Sequence, residues 1–265
     1  WLLAAGPSPP LAAHDRAGRR GGSLVGLTRA QIAAFRWTGG GDRDAPADAV
    51  RGDALVHTFF RGGDGPRARA RARAALAPIA DRARTGDPTA RAHLEQLAAE
   101  LRGGPSPVLS FHWELELPRV FARDRPGFDC VVGNPPFLAG SRISTTLGPA
   151  YLDWLLHVHE DSHGNADLVA HFFRRAFDLL RPGGAFGLLA TNTIAQGDTR
   201  ATGLRPIVRH GGHIYRAERR ASWPGDAAVV VSSVHVRRGP PTPDLRLDGR
   251  AVQRISAFLA AVGDD

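Results

Sequence analysis

Two short apolar runs without polar alternation stand out along the chain. The first, 128–133, contains Val131 and Val132 and stops before two consecutive prolines; the second is 185–190. Continuous apolar runs are typical of parallel strands that are buried on both faces, and proline ends a ladder of hydrogen bonds. A stripe at helical spacing over 168–179 and a turn at 181–184 separate the two runs. The pattern therefore predicts two parallel strands joined by a crossover helix.

The hydrophobic spacing before residue 110 is that of helices. Two helix starts carry cap signals, the capping box that begins at Thr28 and the pair Asp87-Pro88. The predicted helices cover 28–37, 47–60 and the two arms of a hairpin within 67–101. For 54–60 the alternative is a strand that leads into the glycines of 62–65, which would supply a cofactor loop.

After residue 110 the chain is expected to alternate between helical and extended segments. We expect an edge segment over 111–121, a polar loop over 138–148, a helix from Pro149, and a helix over 168–179 that Asn165 caps. Strands are expected at 213–217 and 227–236, the second of them antiparallel. The prolines of 240–243 break the domain, and a hairpin and a helix are expected to follow.

The corner formed by Asn134, Pro135, Pro136 and Phe137 lies where the first strand ends. Ligands of open α/β sheets bind at the carboxyl ends of the strands. There the Asn134 carboxamide oxygen and the Pro135 carbonyl could accept both N–H bonds of a planar conjugated amine and turn its lone pair outward, while Phe137 offers a flat face to a base. The four residues alone fit a proline-stopped strand with an asparagine turn equally well.

These residues and their neighbours carry a family resemblance. The tetrapeptide 134–137 after a Phe-Asp-x-Val-Val-Gly strand resembles the catalytic motif of class I S-adenosylmethionine-dependent N6-adenine DNA methyltransferases of restriction-modification systems. Further segments resemble the same family in the same order, namely 112–116, 165–168, 181–184, 191–200 and 223–229. The resemblance implies an α/β fold, the C-terminal half of a Rossmann-like seven-stranded methyltransferase sheet, preceded by a mostly helical segment.

The resemblance implies methyl transfer from S-adenosylmethionine to N6 of a flipped adenine in double-stranded DNA. The catalytic candidates are Asn134, Pro135, Pro136 and Phe137, and the nucleic-acid-binding candidates are Arg142, Asn192, Gln196 and Arg200. The family's glycine-rich cofactor motif is not found, so the cofactor-binding residues stay unassigned, and the target-recognition domain is also absent. The sequence is therefore interpreted as a fragment, whose partners would include the missing N-terminal half or a nuclease or specificity component.

Other functions remain open at this point. Protein glutamine methyltransferases and RNA methyltransferases also use Asn-Pro-Pro with an aromatic residue, and a non-catalytic remnant that binds nucleic acid or a partner chain would keep the same residues. In a half-sheet, the edge of 128–133 is expected to be unpaired and to favour aggregation.

Charge adds little to this picture. The net charge is +8, and all 34 basic residues are arginines. A positive charge suits a polyanionic partner, yet an arginine-biased composition accounts for basicity by itself. The arginines at 67, 69, 71 and 73 are expected to point around a solvated helix end, with contact to the DNA backbone as the alternative.

Composition excludes several other classes. The single cysteine, Cys130, permits no internal disulfide and is expected to be an inert buried side chain, and we expect a cytoplasmic protein without a membrane span. The histidines and acids of 157–163 match no helical zinc motif, so no metal site is expected.

The chain begins at Trp1 and contains no methionine, which favours an internal piece of a longer protein. The predicted domains are 1–107, 108–239 and 240–265.

Overall fold

A computed structural model describes residues 2–4, 22–39, 48–103, 106–222 and 230–262. The chain forms two compact units. The first, here the helical unit, comprises Gly18–Arg119 and Gly148–Val158, and the second, the sheet unit, comprises Trp1–Ala17, Val120–Leu147 and His159–Asp265. Most of the predicted linker 1–27 and the segment 223–229 lie outside the described residues, and the domain borders at 107 and 239 stay predictions.

The described helices and strands are as follows in chain order. They are β1 (Leu2–Ala4), α1 (Arg29–Ala33), α2 (Ala49–Phe60), α3 (Gly65–Arg84), α4 (Pro88–Arg102), α5 (Trp113–Glu116), α6 (Pro118–Phe121), β2 (Phe128–Gly133), α7 (Gly140–Leu147), α8 (Pro149–Val158), α9 (Leu168–Leu179), β3 (Leu180–Thr191), α10 (Gly197–Thr202), α11 (Leu204–Arg209), β4 (Gly212–Ser222), β5 (Val230–Arg238), β6 (Arg246–Leu247) and β7 (Arg250–Ala251). A 3-10 helix, Asn192–Ala195, lies between β3 and α10.

The helices predicted before residue 110 are confirmed. Thr28 forms the capping box of α1 with Gln31, and the Asp87 carboxylate accepts two backbone N–H groups in the first turn of α4. Residues 54–60 lie in α2, and the glycines of 62–65 join α2 to α3. The alternative of a strand followed by a cofactor loop is therefore wrong, because the apolar side chains of this segment recur at helical spacing.

A buried carboxylate organises the polar interior of the helical unit. Asp53 in α2 is 2% exposed and accepts hydrogen bonds from Arg102, Ser110 and His112. The His112 Nδ1 accepts the backbone N–H of Leu27 at 3.0 Å, so the proton that Asp53 receives is on Nε2. A buried charge is costly unless it is paired and hydrogen-bonded, and these three donors meet that requirement.

The edge segment expected over 111–121 is instead the two short helices α5 and α6. The Trp113 indole donates to the Ser23 carbonyl at 3.1 Å, and Glu114 accepts the backbone N–H of Arg29 at 2.8 Å. Glu114 thus satisfies a free donor at the start of α1, where an acidic group also interacts favourably with the helix dipole. The segment is helical because its polar groups bind other parts of the helical unit.

The described strands of the sheet unit are ordered β1-β2-β3-β5-β4-β6-β7. β2 and β3 are parallel, with Val131 opposite Phe186 and Gly133 opposite Leu188, and β5 runs antiparallel between β3 and β4. The predicted α/β fold, the parallel crossover and the antiparallel β5 are confirmed. The expected unpaired edge of β2 is wrong, because β1 pairs antiparallel with it and places Leu3 opposite Val131.

One face of this sheet is buried, and the other is partly exposed. Phe186 and Val131 lie on the buried face, where α9 packs with Phe173 edge-on to Phe186 at a centroid distance of 5.4 Å. Val132 points to the opposite face and is 50% exposed, whereas Val131 is 1% exposed. The prediction that β2 is buried on both faces is therefore wrong for the described part of the chain.

Two further expectations are corrected. Residues 140–147 form α7 instead of a polar loop, with Ile143 fully buried as its anchor. After 240–243 the expected hairpin is present as β6 and β7, but 252–262 contain no helix. The helix expected from Pro149 is confirmed as α8.

Two buried histidines pack against each other beside α9. The Nδ1 atoms of His159 and His171 are 2.8 Å apart, and the side chains are 2% and 0% exposed. Burial, together with Arg174, lowers the pKa of His171 to about 3, and burial followed by His171, Arg175 and Arg174 lowers the pKa of His159 well below its usual range. Both imidazoles are therefore neutral near pH 7, with one donating to the other.

This pair makes stability sensitive to acid. Because the unfolded chain binds protons near pH 6.5 and the folded pair does not, stability is lost as the pH falls below that value. We expect the free energy of unfolding to fall by at least about 1 kcal/mol between pH 7 and pH 5.5 in urea titrations. His171→Phe should reduce this dependence, because one of the two buried imidazoles is removed. An identical pH dependence in the wild type and His171→Phe would contradict this expectation.

Candidate functional site

The parallel pairing of β2 and β3 brings two polar segments to the same edge of the sheet. β2 ends at Gly133 and is followed by Asn134, while β3 ends at Thr191 and is followed by Asn192 in the 3-10 helix. Carboxyl ends of neighbouring parallel strands are where open α/β sheets bind ligands. The candidate site is therefore the loop after β2 together with the turn after β3.

The corner after β2 presents free acceptors on a rigid backbone. The Asn134 side chain is exposed and has no hydrogen-bond partner among the described residues, and the Pro135 carbonyl accepts none of their N–H groups. Pro135 is buried, so it anchors the corner, while Pro136 and Phe137 are exposed. Phe137 is 39% exposed and offers its ring to a ligand. Rotation about the backbone is restricted at both prolines, so the Pro135 carbonyl is positioned in advance.

The Asp167 carboxylate ties the two segments of the site together. Its Oδ1 accepts the backbone N–H of Gly140, after the corner, at 3.0 Å, and its Oδ2 accepts the Thr193 hydroxyl at 2.5 Å. The Thr193 hydroxyl also lies 2.7 Å from that of Thr191, and the Asp167 N–H donates to Thr199 Oγ1 at 3.1 Å. The loop after β2 and the turn after β3 are thus held by one side chain.

The role expected for Asn165 is wrong. The N-cap of α9 is Asp167, and it makes no side-chain bond to the first turn of the helix because its carboxylate is used across the site. The backbone of Asn165 instead packs closely against Gly140. A Cβ on Gly140 would lie 2.1 Å from the Asn165 carbonyl oxygen, so only glycine fits there. Sequence reasoning missed Asp167, although it lies in a segment, 165–168, that carries the family resemblance.

The nucleic-acid candidates are not brought together to the same degree. Asn192 accepts a hydrogen bond from the buried Ser232 at 3.2 Å, so its side chain is fixed at the edge of the sheet. Gln196 is exposed at the start of α10, and Arg142 is exposed in α7. The Arg200 guanidinium lies over the ring of Phe258 at 3.9 Å. Asn134 and Asn192 share one edge, whereas no described contact joins Arg142, Gln196 or Arg200 to the corner.

Metal and thiol chemistry find little support in the described residues. They contain no cluster of three or more histidines, cysteines or acids that could hold a metal ion. Burial, followed by the charge of Asp129, raises the pKa of the Cys130 thiol, so it stays protonated and a poor nucleophile at neutral pH. The described helices include none with the length and apolarity needed to cross a bilayer.

The described residues do not form a complete binding site for S-adenosylmethionine. Before β2, the described residues contain no strand that passes through glycines into a helix, and the glycines of 62–65 join two helices. The binding of a methyl donor is therefore left without assigned residues.

Residues 95–210 match the Eco57I restriction-modification methylase family. The matched segment contains the corner after β2, Asp167 and the turn after β3. The resemblance to class I methyltransferases of restriction-modification systems is thereby confirmed for this segment, which is less than half of the 265 residues.

Solved structures of similar proteins were also found. The type IIL restriction-modification enzyme MmeI, in complex with DNA, is 21% identical over 51% of this chain and 20% of its own, with a TM-score of 0.43. The M protein of the type I restriction enzyme EcoKI is 17% identical over 43% of this chain and 22% of its own, with a TM-score of 0.30. A Listeria monocytogenes protein assigned to the class I S-adenosylmethionine-dependent methyltransferases is 12% identical over 73% of this chain and 61% of its own, with a TM-score of 0.36. The chain thus spans less than two thirds of each. No curated protein sequence matches significantly.

The bridge made by Asp167 gives the first test of the site. Asp167→Ala removes the acceptor of two hydrogen bonds, and because bonds to a charged group contribute about 1.5–3 kcal/mol each, we expect a loss of roughly 2–4 kcal/mol in the free energy of unfolding. Urea denaturation measures this loss.

Asn165→Ala is the matched control, since this exposed side chain has no partner among the described residues. It should change stability by less than about 0.5 kcal/mol. If both variants lose the same stability, Asp167 is not the residue that holds the two segments.

Proposed function

We propose that this chain carries the acceptor site of an N6-adenine DNA methyltransferase of a restriction-modification system. The observation that carries the proposal is the unpartnered Asn134 carboxamide at the end of parallel β2, inside the segment that matches the methylase family. The methyl donor would be S-adenosylmethionine, which supplies an activated methyl group when it is bound. Nuclease and specificity components, as well as a cytoplasmic location, stay predictions.

The chemistry of the acceptor explains the corner. The lone pair of an exocyclic amine is delocalised into its ring, which makes the nitrogen a weak nucleophile. If the Asn134 oxygen and the Pro135 carbonyl accept its two N–H bonds, the nitrogen moves toward tetrahedral geometry and its lone pair points away from the ring. The Pro135 carbonyl costs little reorganisation because the prolines restrict the backbone that carries it.

The base has to leave the duplex before this site can hold it. In a duplex, N6 of adenine is committed to pairing and stacking, so the nucleotide must be extruded. The partly exposed ring of Phe137 lies beside the corner and would stack against the extruded base. Asp167 acts at a distance by positioning the loop that carries Phe137 against the turn after β3.

The acceptor geometry predicts a specific loss of activity. Asn134→Ala should reduce methyl transfer by on the order of 100- to 1000-fold, because one of the two acceptors that align the amine is lost. Phe137→Ala should weaken capture of the base by about 1–3 kcal/mol, whereas Phe137→Tyr retains a stacking ring and should be tolerated. The measurement is transfer of labelled methyl groups to duplex DNA by the full-length protein, with the product base identified after digestion.

Two outcomes would overturn this proposal. Label found in glutamine of a protein, or in RNA but not DNA, would favour the other methyltransferases that share the motif. Full activity of Asn134→Ala would remove the mechanism, with Asn165→Ala as the control for an asparagine replaced nearby.

The missing donor site gives a separate prediction. The 265-residue chain should bind S-adenosylmethionine weakly or not at all, because no glycine loop of the expected kind is found in its described residues. Isothermal titration calorimetry tests this directly. Micromolar affinity would show that other residues of the chain bind the donor.

A further inference from the structure

A large cleft in the helical unit has a basic lining. Its volume is about 880 Å³, and its described lining contains Arg36, Arg69 and Arg73 but only one acidic residue, Asp153. The cleft lies outside the segment that matches the methylase family, apart from its contribution from α8. An excess of guanidinium groups in a concave site favours an anionic ligand, because concave surfaces concentrate the field of their charges.

Arg69 is the most buried of the three arginines that line this cleft, and it has an unused donor. Its side chain is 9% exposed, it forms an ion pair with Asp153 at 2.7 Å, and its guanidinium lies over the ring of Phe59 at 4.5 Å. The Nε of Arg69 is buried and has no hydrogen-bond partner among the described residues. A buried donor without an acceptor costs free energy, and the ion pair with Asp153 stabilises the guanidinium that carries it.

Arg73 is held in place, one helical turn after Arg69. Its guanidinium donates to the Phe35 carbonyl at 3.0 Å and lies over the Trp37 ring at 5.3 Å. Within the described ranges, neither Arg73 nor Arg36 forms an ion pair. Arg73 therefore keeps its full charge in a fixed position, which lowers the entropy cost of binding a ligand.

The neighbouring arginines of α3 differ in this respect. Arg67 and Arg71 are exposed and do not line the cleft, whereas Arg69 and Arg73, spaced by four residues, share the face that does. The expectation of a solvated helix end therefore describes two of the four arginines. The other two line a concave site, where Arg69 is paired with Asp153 and Arg73 is not part of an ion pair among the described residues.

The cleft also offers a flat, uncharged surface. His157 is exposed, and its ring packs edge-on to Trp37 at 5.7 Å and tilted against Phe59 at 5.3 Å. Burial, followed by the charge of Arg69, lowers the pKa of His157, so its imidazole is neutral at pH 7. Arginines combined with a flat ring suit a ligand that has both phosphates and aromatic bases.

We propose that this cleft binds the sugar-phosphate backbone of a DNA strand, with phosphates at Arg73 and at Arg36 on the rim, beside the Arg69–Asp153 ion pair. The choice of DNA rests on the proposed function, while the binding itself does not require methyl transfer. The two can therefore fail independently.

The experiment measures binding of a fluorescein-labelled duplex to the 265-residue chain by fluorescence anisotropy at several salt concentrations. The double variant Arg36→Ala, Arg73→Ala should lower the slope of log affinity against log salt by about 0.9 for each lost phosphate contact. At 0.1 M salt this corresponds to a loss of on the order of tenfold in affinity per contact, for any DNA sequence.

The matched control is Arg67→Ala, Arg71→Ala, which removes the same charge from exposed positions of α3. It should keep the salt dependence of the wild type. Arg36→Ala alone provides a second test should the Arg73 variant fail to fold, as judged by circular dichroism, because no contact of the Arg36 side chain is lost among the described residues. Asn165→Ala, which replaces an exposed asparagine outside the acceptor corner, should bind DNA like the wild type.

Equal losses in the two double variants would overturn the proposal, because net charge alone would then explain binding. An unchanged slope in Arg36→Ala and in the cleft double variant would also overturn it. Displacement of the labelled duplex by micromolar deoxyadenosine monophosphate would show that the cleft holds a free nucleotide instead of a strand, and this result too would contradict the proposal.

Discussion

The candidate site depends on the parallel register of β2 and β3. Because Gly133 pairs with Leu188, both strands deliver their following residues to one edge of the sheet. Strand pairing alone does not fix the segments beyond the ladder, where backbone bonds end. The Asp167 carboxylate takes over at that point by binding Gly140 and Thr193. The acceptors of Asn134 and Pro135 thus stay free, while both carboxylate oxygens of Asp167 are used to hold the neighbouring segments together.

In the helical unit, buried charged side chains hold separate segments of the chain together. Asp53 is satisfied by three side-chain donors, while Arg51, which is 4% exposed, donates to the backbone carbonyls of Ile32 and Ala80 and pairs with Asp81. Removing one partner of such a group leaves an uncompensated charge, which is more costly than the contact itself was favourable. These networks therefore specify how the helices pack more than they add stability.

Much of this fold could be predicted from the sequence where local signals and burial agree. The capping box at Thr28, the Asp87 cap and the apolar spacing of α9 each require only neighbouring residues. The sequence predicts a polar loop over 138–148, because Ser144, Thr145 and Thr146 are polar and are weak helix formers. Burial of Ile143 and the bond from Asp167 stabilise α7, and both are long-range effects. The role of Asp167 could not be predicted for the same reason. From the sequence, an aspartate at the start of a helix is expected to cap that helix, and only the folded structure shows that its carboxylate binds Gly140 and Thr193 instead.

The arginines show why total charge could not identify a ligand. A net charge of +8 averages over side chains that do different things. Arg123 and Arg181 both bind Asp129 at the start of β2, and Arg102 satisfies Asp53, so these charges are consumed by the structure. What distinguishes an interaction surface is the set of guanidinium groups that remain unpaired after folding and share one concave surface. That set depends on which helix face each residue occupies, so only the folded chain defines it.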